Sequence, residues 1–258
     1  DPLPIPRIPA AQLTGMAALP RGTRTGNMLH TLYENLAFNA NASTIHDQVS
    51  TQLAAHGLES DDWLGTLTLH TLDFFHSDLG GFRLADISDC KRLNELAFHF
   101  PIGELTVSRL EGFFAKHDLL ARPNQFDFYP VEGFLKGFID LVFEHDGRFF
   151  IADYKSNFLG SQESDYHRDK LPGVMGDANY VLQYHLYVVA LHRYLQYRLG
   201  RSYDYEKHFG GVLYLFVRGV TADTSPEFGV FRDRPSKELI MALSAFLSKG
   251  EEKEVAVG

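Results

Sequence analysis

Only one of the 258 residues is a cysteine, Cys90, so the chain can form neither an internal disulfide nor a multi-thiolate metal site. A reducing, cytoplasmic setting is the natural expectation. Long apolar runs are missing as well. Tyr, Gln, His or Arg interrupts each of them well before the roughly 20 residues a bilayer crossing requires, so no membrane association is expected. No secretory leader is expected from the first residues, Asp1-Pro-Leu-Pro-Ile-Pro6, which read as a proline-rich extended arm. Opening on Asp1 and not Met, the sequence reads as a piece of a longer polypeptide. It has no Gly-x-x-x-x-Gly-Lys-Ser/Thr loop, which excludes the usual mode of ATP hydrolysis. It has no Gly-x-Ser-x-Gly elbow for a nucleophilic serine, and its 12 histidines lack zinc-ligand spacing. Positive charge is short too. With 24 Lys+Arg against 33 Asp+Glu the net charge is −9, and neither half of the chain is basic. Any attraction for phosphate must therefore be local or supplied by a partner.

What is present is ordinary globular material, 45% hydrophobic and 22% charged. Residues 25–76 carry helical periodicity. Thr25 is the predicted N-cap of a first helix with Leu29, Leu32, Tyr33 and Leu36 along one face. Two more helices are predicted over 45–56 and 61–76, the second holding Trp63, Leu67 and Leu72. The alternation in 92–101 predicts a strand with Leu93, Glu95, Ala97 and His99 on one side, and 105–117 a short helix. A long helix is predicted over 174–199, a buried strand over 210–218 and a closing helix over 235–247 with Pro235 in its first turn. Helices on both sides of a small central sheet make the expected architecture α/β or α+β, one compact core preceded by an all-helical segment. By segment it comprises an arm over 1–21, a helical segment over 22–90, a core over 91–250 and a tail over 251–258.

The chemistry concentrates at one hairpin. Gly133–Glu144 and Arg148–Lys155 are rich in Phe, Ile, Leu and Val and flank Asp146-Gly147. Asp-Gly suits a type I′ turn, whose two central residues both need positive φ. Counting outward from that turn, His145 opposes Arg148, and Asp140 falls opposite Asp153. Directly opposed side chains on paired strands stand about 5 Å apart at Cβ, and like charges so placed repel. Among apolar neighbours such a pair needs a reason, and a divalent cation is the simplest, since Mg2+ is held by one or two carboxylates with waters and phosphate oxygens. Lys155 lies two residues beyond Asp153 and so shares its face. A lysine there can orient a water and offset charge on an attacked phosphate.

Gly137-Phe-Ile-Asp140 followed by Asp153-Tyr-Lys155 resembles the two-part motif of the PD-(D/E)xK nuclease superfamily. Longer strings narrow the match: Gly133-Phe-Leu-Lys-Gly-Phe-Ile-Asp-Leu-Val-Phe143, Asp153-Tyr-Lys-Ser-Asn157, Leu182-Gln-Tyr-His-Leu-Tyr187 and His208-Phe-Gly-Gly-Val-Leu-Tyr-Leu-Phe-Val-Arg-Gly219. They are similar to the C-terminal nuclease domains of RecB subunits of RecBCD helicase–nucleases, also called exodeoxyribonuclease V. The similarity runs from about Gly22 to about Pro235.

That resemblance implies an α/β, restriction-endonuclease-like core with a central mixed sheet flanked by helices, and a magnesium-dependent deoxyribonuclease acting exo- and endonucleolytically on single strands unwound from duplex ends during double-strand break repair and recombination. The products would carry 5′-phosphates. It adds His30, in Gly22-Thr-Arg-Thr-Gly-Asn-Met-Leu-His30, and the Tyr154 carbonyl to Asp140 and Asp153 as metal ligands. It also assigns Glu95 as an additional acidic residue, and Gln183 and Tyr187, four apart on one helix face, as groups that hold the DNA backbone or the catalytic lysine. Ca2+ would fit the same oxygen-rich site without supporting cleavage. The implied partners are DNA, RecB helicase domains in the parent chain, the RecC and RecD subunits, and RecA. A helicase that feeds DNA to the site would explain the absence of a basic platform. AddA-type nuclease domains and stand-alone restriction-like endonucleases are the alternative readings.

Overall fold

The structure is a computed structural model that describes residues 14–58, 60–101, 103, 106–117, 119, 133–223 and 225–248. Residues 1–13 of the predicted arm, the tail over 251–258 and residue 105 at the start of a predicted helix lie outside the described residues. Contacts divide the chain into two compact units. One holds Asp1–Cys90, Tyr154–Lys170 and Tyr214–Phe231, and the other Lys91–Asp153, Leu171–Leu213 and Arg232–Gly258.

The first unit opens with four helices: α1 (Gly15–Ala18), α2 (Thr23–Asn35), α3 (Ala42–Ala55) and α4 (Ser60–His76). Met28, Leu29, Leu32 and Tyr33 form the buried stripe of α2, each at most 1% exposed. The helix starts earlier than its periodicity suggests. Gly22, not Thr25, is the N-cap, and Thr25 is buried inside the first turn. Leu36 leaves the helix in an extended conformation while remaining buried, so its spacing marks the core and not the helix end. Asn41 caps α3 by accepting a hydrogen bond from the Thr44 amide at 2.9 Å. Tyr33, Phe74 and Phe75 meet with ring centroids 5.1 to 5.9 Å apart, and Phe38 lies 5.0 Å from Phe75.

The second unit carries β1 (Arg92–Pro101), α5 (Val107–Lys116), β2 (Phe134–His145), most of β3 (Arg148–Lys155), α6 (Leu171–Asp177), α7 (Tyr180–Leu199), α8 (Tyr205–His208), much of β4 (Phe209–Phe216) and α9 (Lys237–Ser248). The strands form one five-stranded sheet in the order β1-β2-β3-β4-β5, with β5 at Val230–Asp233. Both β1–β2 and β2–β3 are antiparallel. Gly210 packs against the Phe150 ring, and the Val217 amide bonds the Lys155 carbonyl at 3.0 Å, so β4 runs parallel to β3 and the sheet is mixed.

The hairpin has the predicted register. Asp146 (φ 49°) and Gly147 (φ 73°) both occupy the left-handed region that a type I′ turn demands. Pairing runs from His145↔Arg148 to Leu141↔Ala152. Three predicted boundaries move. The helix expected over 174–199 breaks at Asn179, whose φ is 57°, which separates α6 from α7. The strand expected over 210–218 ends at Phe216, because the Gly219 amide turns back onto the Phe216 carbonyl. The closing helix begins two residues after Pro235, where the Ser236 hydroxyl accepts the Leu239 amide. The four-residue β5 has too few alternations to be read from sequence.

Candidate active site

In the second unit, the β1–β2 ladder pairs Asn94 with Leu141 and Leu96 with Ile139, and omits the pair between them, Glu95 with Asp140. Glu95 has φ 48°, a left-handed conformation that a non-glycine residue adopts at a cost of about 1–3 kcal/mol. On the other side of β2 the β2–β3 ladder ends at Leu141↔Ala152, so the next step in that register sets Asp140 against Asp153. In these two registers Glu95, Asp140 and Asp153 fall in one cross-strand row. Glu95 is exposed, Asp140 half-buried and Asp153 1% exposed.

A carboxylate as buried as Asp153, with a second acid next in register, requires compensating positive charge. Tyr187 on α7 senses both acids. Burial foremost, then the charges of Asp153 and Asp140, push its pKa above the ordinary tyrosine value, while a hydrogen bond from Gln183 opposes the rise. The Tyr187 hydroxyl therefore stays protonated and able to donate. Gln183, one helical turn earlier, fixes its direction. The Tyr187 ring rests edge-on to Phe98 at 5.8 Å, and Phe98 lies over Gly137 so closely that a Cβ there would stand 2.5 Å from the ring. The glycine of the Gly-Phe-Ile-Asp string is thus a packing requirement.

The first unit holds the other predicted residues. The half-buried His30 of α2 meets Tyr154 edge-on, ring centroids 6.1 Å apart. Tyr33 and Phe74 pack on the same tyrosine at 5.1 and 6.2 Å. The Lys155 ammonium lies 5.0 Å from the centre of the Tyr214 ring, a cation–π contact that directs a flexible side chain. Just beyond it Gly26 lets α2 approach closely, since a Cβ there would sit 3.1 Å from the Ser156 hydroxyl.

Sequence reasoning passed over Arg218. Its guanidinium, 7% exposed, donates to the carbonyls of Ser156 (2.8 Å), Met16 (2.6 Å), Leu19 (2.9 Å) and Pro20 (2.9 Å). It ties the residue after Lys155 to the segment leading into α2. An arginine closing the apolar run Gly210–Val217 was the available signal.

Among the described residues no three His, Cys, Asp or Glu side chains gather into a metal-holding group. A two-carboxylate site matches the ligand habits of Mg2+, which keeps waters and phosphate oxygens in its shell. The acidic row fits such an ion, because opposed carboxylates with one of them buried call for a cation.

Comparison with known proteins identifies relatives of the chain. The family model of the PD-(D/E)XK nuclease superfamily matches residues 16–252. The chain is 41% identical over 225 residues to the RecBCD enzyme subunit RecB of Escherichia coli (strain K12), covering 86% of this chain and 19% of the relative. It is 40% identical over 231 residues to RecB of Haemophilus influenzae, covering 87% and 18%. With RecB of Mycobacterium tuberculosis identity is 32% over 277 residues, covering 93% and 25%. The chain spans about a fifth to a quarter of the length of these relatives. No described helix is long and apolar enough to cross a membrane. The five-stranded mixed sheet, its acidic row and the match across most of the sequence lead to one conclusion: the chain belongs to the PD-(D/E)XK nuclease superfamily.

Proposed function

We propose that the chain is the Mg2+-dependent nuclease part of a RecB-type helicase–nuclease, hydrolysing DNA phosphodiester bonds of single strands unwound from duplex ends in break repair and recombination. The observation that carries this reading is the acidic row: Asp140 next in register to a buried Asp153, with Lys155 two residues further along the same strand. Asp140 and Asp153 would hold the ion, with the Tyr154 carbonyl and His30 as further ligands and Glu95 as the additional acid of the row. When bound, Mg2+ supplies Lewis-acid polarisation of the phosphate and an activated water.

The remaining work falls to the chain's own groups. Lys155, steered by Tyr214, orients the attacking water and offsets charge developing on the phosphate oxygens. The protonated Tyr187 hydroxyl, held by Gln183, donates a hydrogen bond to a phosphate oxygen of the scissile strand. The phenylalanine-rich hairpin keeps bulk water from the buried side of the row. The relatives are named as subunits of the RecBCD enzyme. Docking of this chain to RecC and RecD, and to RecA, belongs to the same proposal. So does a cytoplasmic location.

The test is cleavage of a labelled single strand in Mg2+ by wild type, Asp153→Ala and Lys155→Ala, with circular dichroism to verify folding. Both variants should remain folded and lose at least a hundredfold in rate. A folded Asp153→Ala protein that cleaves at the wild-type rate rejects the assignment. In EDTA, wild type should be inactive, and Mg2+ should restore it while Ca2+ should not.

A further inference from the structure

The outward face of the β1–β2 ribbon has no role in the chemistry above, yet it carries more exposed aromatic surface than solvent alone would favour. Phe138 is 59% exposed and Phe134 43%, with Leu93 at 45% further along β1. Their cross-strand partners are Ala97, Pro101 and Val142 in that order. Ala97 stands opposite Phe138, which leaves that ring uncovered, and His99 stands opposite Lys136. His99 also packs on Phe134 with ring centroids 4.5 Å apart. Glu95, Ala97 and His99 alternate as the exposed positions of β1, whereas Leu96 and Phe98 are half-buried and Phe100 is buried. The face leads towards the acidic row, since Ala97 opposes Phe138 and two residues further along each strand the same register reaches Glu95 and Asp140, between the printed pairs Leu96↔Ile139 and Asn94↔Leu141.

We infer that this face is a track for single-stranded DNA, with bases stacking on Phe138 and on the Phe134–His99 pair while Lys136 meets the intervening phosphate. The inference rests on the nuclease reading of the acidic row and gives that site its substrate-holding surface. Along β2 the sequence Phe134, Lys136, Phe138, Asp140 alternates stacking, charge, stacking and chemistry, with about 7 Å between successive members at the usual strand rise. Stacking on aromatic rings is indifferent to base identity and gives affinity without many cations. That suits a chain whose net charge is −9. A protein partner seated on the same ribbon would cover the approach to Asp140, and the lone lysine set between aromatic rings favours a strand with a regular phosphate repeat.

Fluorescence anisotropy of the full chain with labelled oligothymidylate, at low salt in EDTA, reads the track without cleavage. Phe138→Ala should weaken binding about five- to a hundredfold, the range expected for one lost base–aromatic stack. Phe138→Trp should restore it. A strand with abasic sites should bind wild type about as weakly as intact strand binds Phe138→Ala, and that variant should not distinguish the two strands. Lys136→Ala should reduce the dependence of log affinity on log salt by about one. No measurable binding by wild type, affinity of Phe138→Ala within twofold of wild type, or equal losses on intact and abasic strands would each overturn the inference. Its failure is separable from that of the nuclease reading. Asp153→Ala must keep stacking-dependent binding while losing cleavage, and a wild type that binds this way without ever cleaving sinks the nuclease reading alone.

Discussion

Replacing Arg218 should destabilise the first unit more than any comparable surface change. Its guanidinium makes four hydrogen bonds of 2.6 to 2.9 Å to main-chain carbonyls and is only 7% exposed. Hydrogen bonds to a charged group contribute about 1.5–3 kcal/mol each, and a buried acceptor left unmade costs a similar amount. The four are not additive, because the Met16, Leu19 and Pro20 carbonyls sit on one short stretch that can relax as a unit. Arg218→Met should therefore lose about 3–5 kcal/mol, a large share of the roughly 5–15 kcal/mol that holds a domain folded. Arg218→Lys keeps the charge but not the planar fork, and three tetrahedral donors cannot span carbonyls from two separate segments. It should lose about 2 kcal/mol. Urea unfolding with linear extrapolation measures both losses. Because the Ser156 carbonyl follows directly on Lys155, the folded fraction of Arg218→Lys should also cleave more slowly than wild type. Stability of Arg218→Met within about 1 kcal/mol of wild type would refute this account of the clamp.

The fold also makes two sharper statements. Burial, opposed mainly by Asp73, lowers the His70 pKa from 6.5 to about 4. The folded state thus holds this imidazole neutral while the unfolded chain takes up a proton, so stability is intact above pH 6.5 and declines as pH falls towards 4, by about 3 kcal/mol in total. His70→Gln should flatten that decline in urea midpoints between pH 7 and 4, and an unchanged slope would reject the assignment. Gly137→Ala places a methyl group 2.5 Å from Phe98, which should lower stability by about 1–3 kcal/mol and, through the Phe98–Tyr187 contact, slow cleavage; an unaltered melting temperature would show that Phe98 has room to move.

Much of the site was legible because a tight turn makes register a matter of counting. Asp146-Gly147 fixed His145 against Arg148 and the pairs out to Leu141 against Ala152, and the next step of that count sets Asp140 against Asp153. Of the helices of the first unit, α1 falls in the stretch read as an arm, α4 lies within a residue of its predicted span, and α2 and α3 begin earlier than predicted. Thr25 looked like a cap, yet it lies in the buried first turn of α2, because cap preference is a local signal and burial is not. The unbroken periodicity of 174–199 concealed Asn179, one residue whose left-handed φ splits the helix. Gln183 and Tyr187 came from resemblance, and the physical reason for their pairing, a hydroxyl kept protonated beside two acids, depends on distances that no spacing rule provides.

The sequence alone determined the class of fold, the hairpin register and the concentration of acids and a lysine on one strand pair. Those features follow from short-range rules: turn chemistry, two-residue alternation and apolar patterning. Only the tertiary structure decided that Glu95 is held left-handed within β1, that Arg218 gathers four carbonyls from two distant segments, and that Tyr214 lies beside Lys155. Each joins residues far apart in the chain, and what brings them together is burial and hydrogen-bond satisfaction summed over the whole fold, which no window of sequence contains.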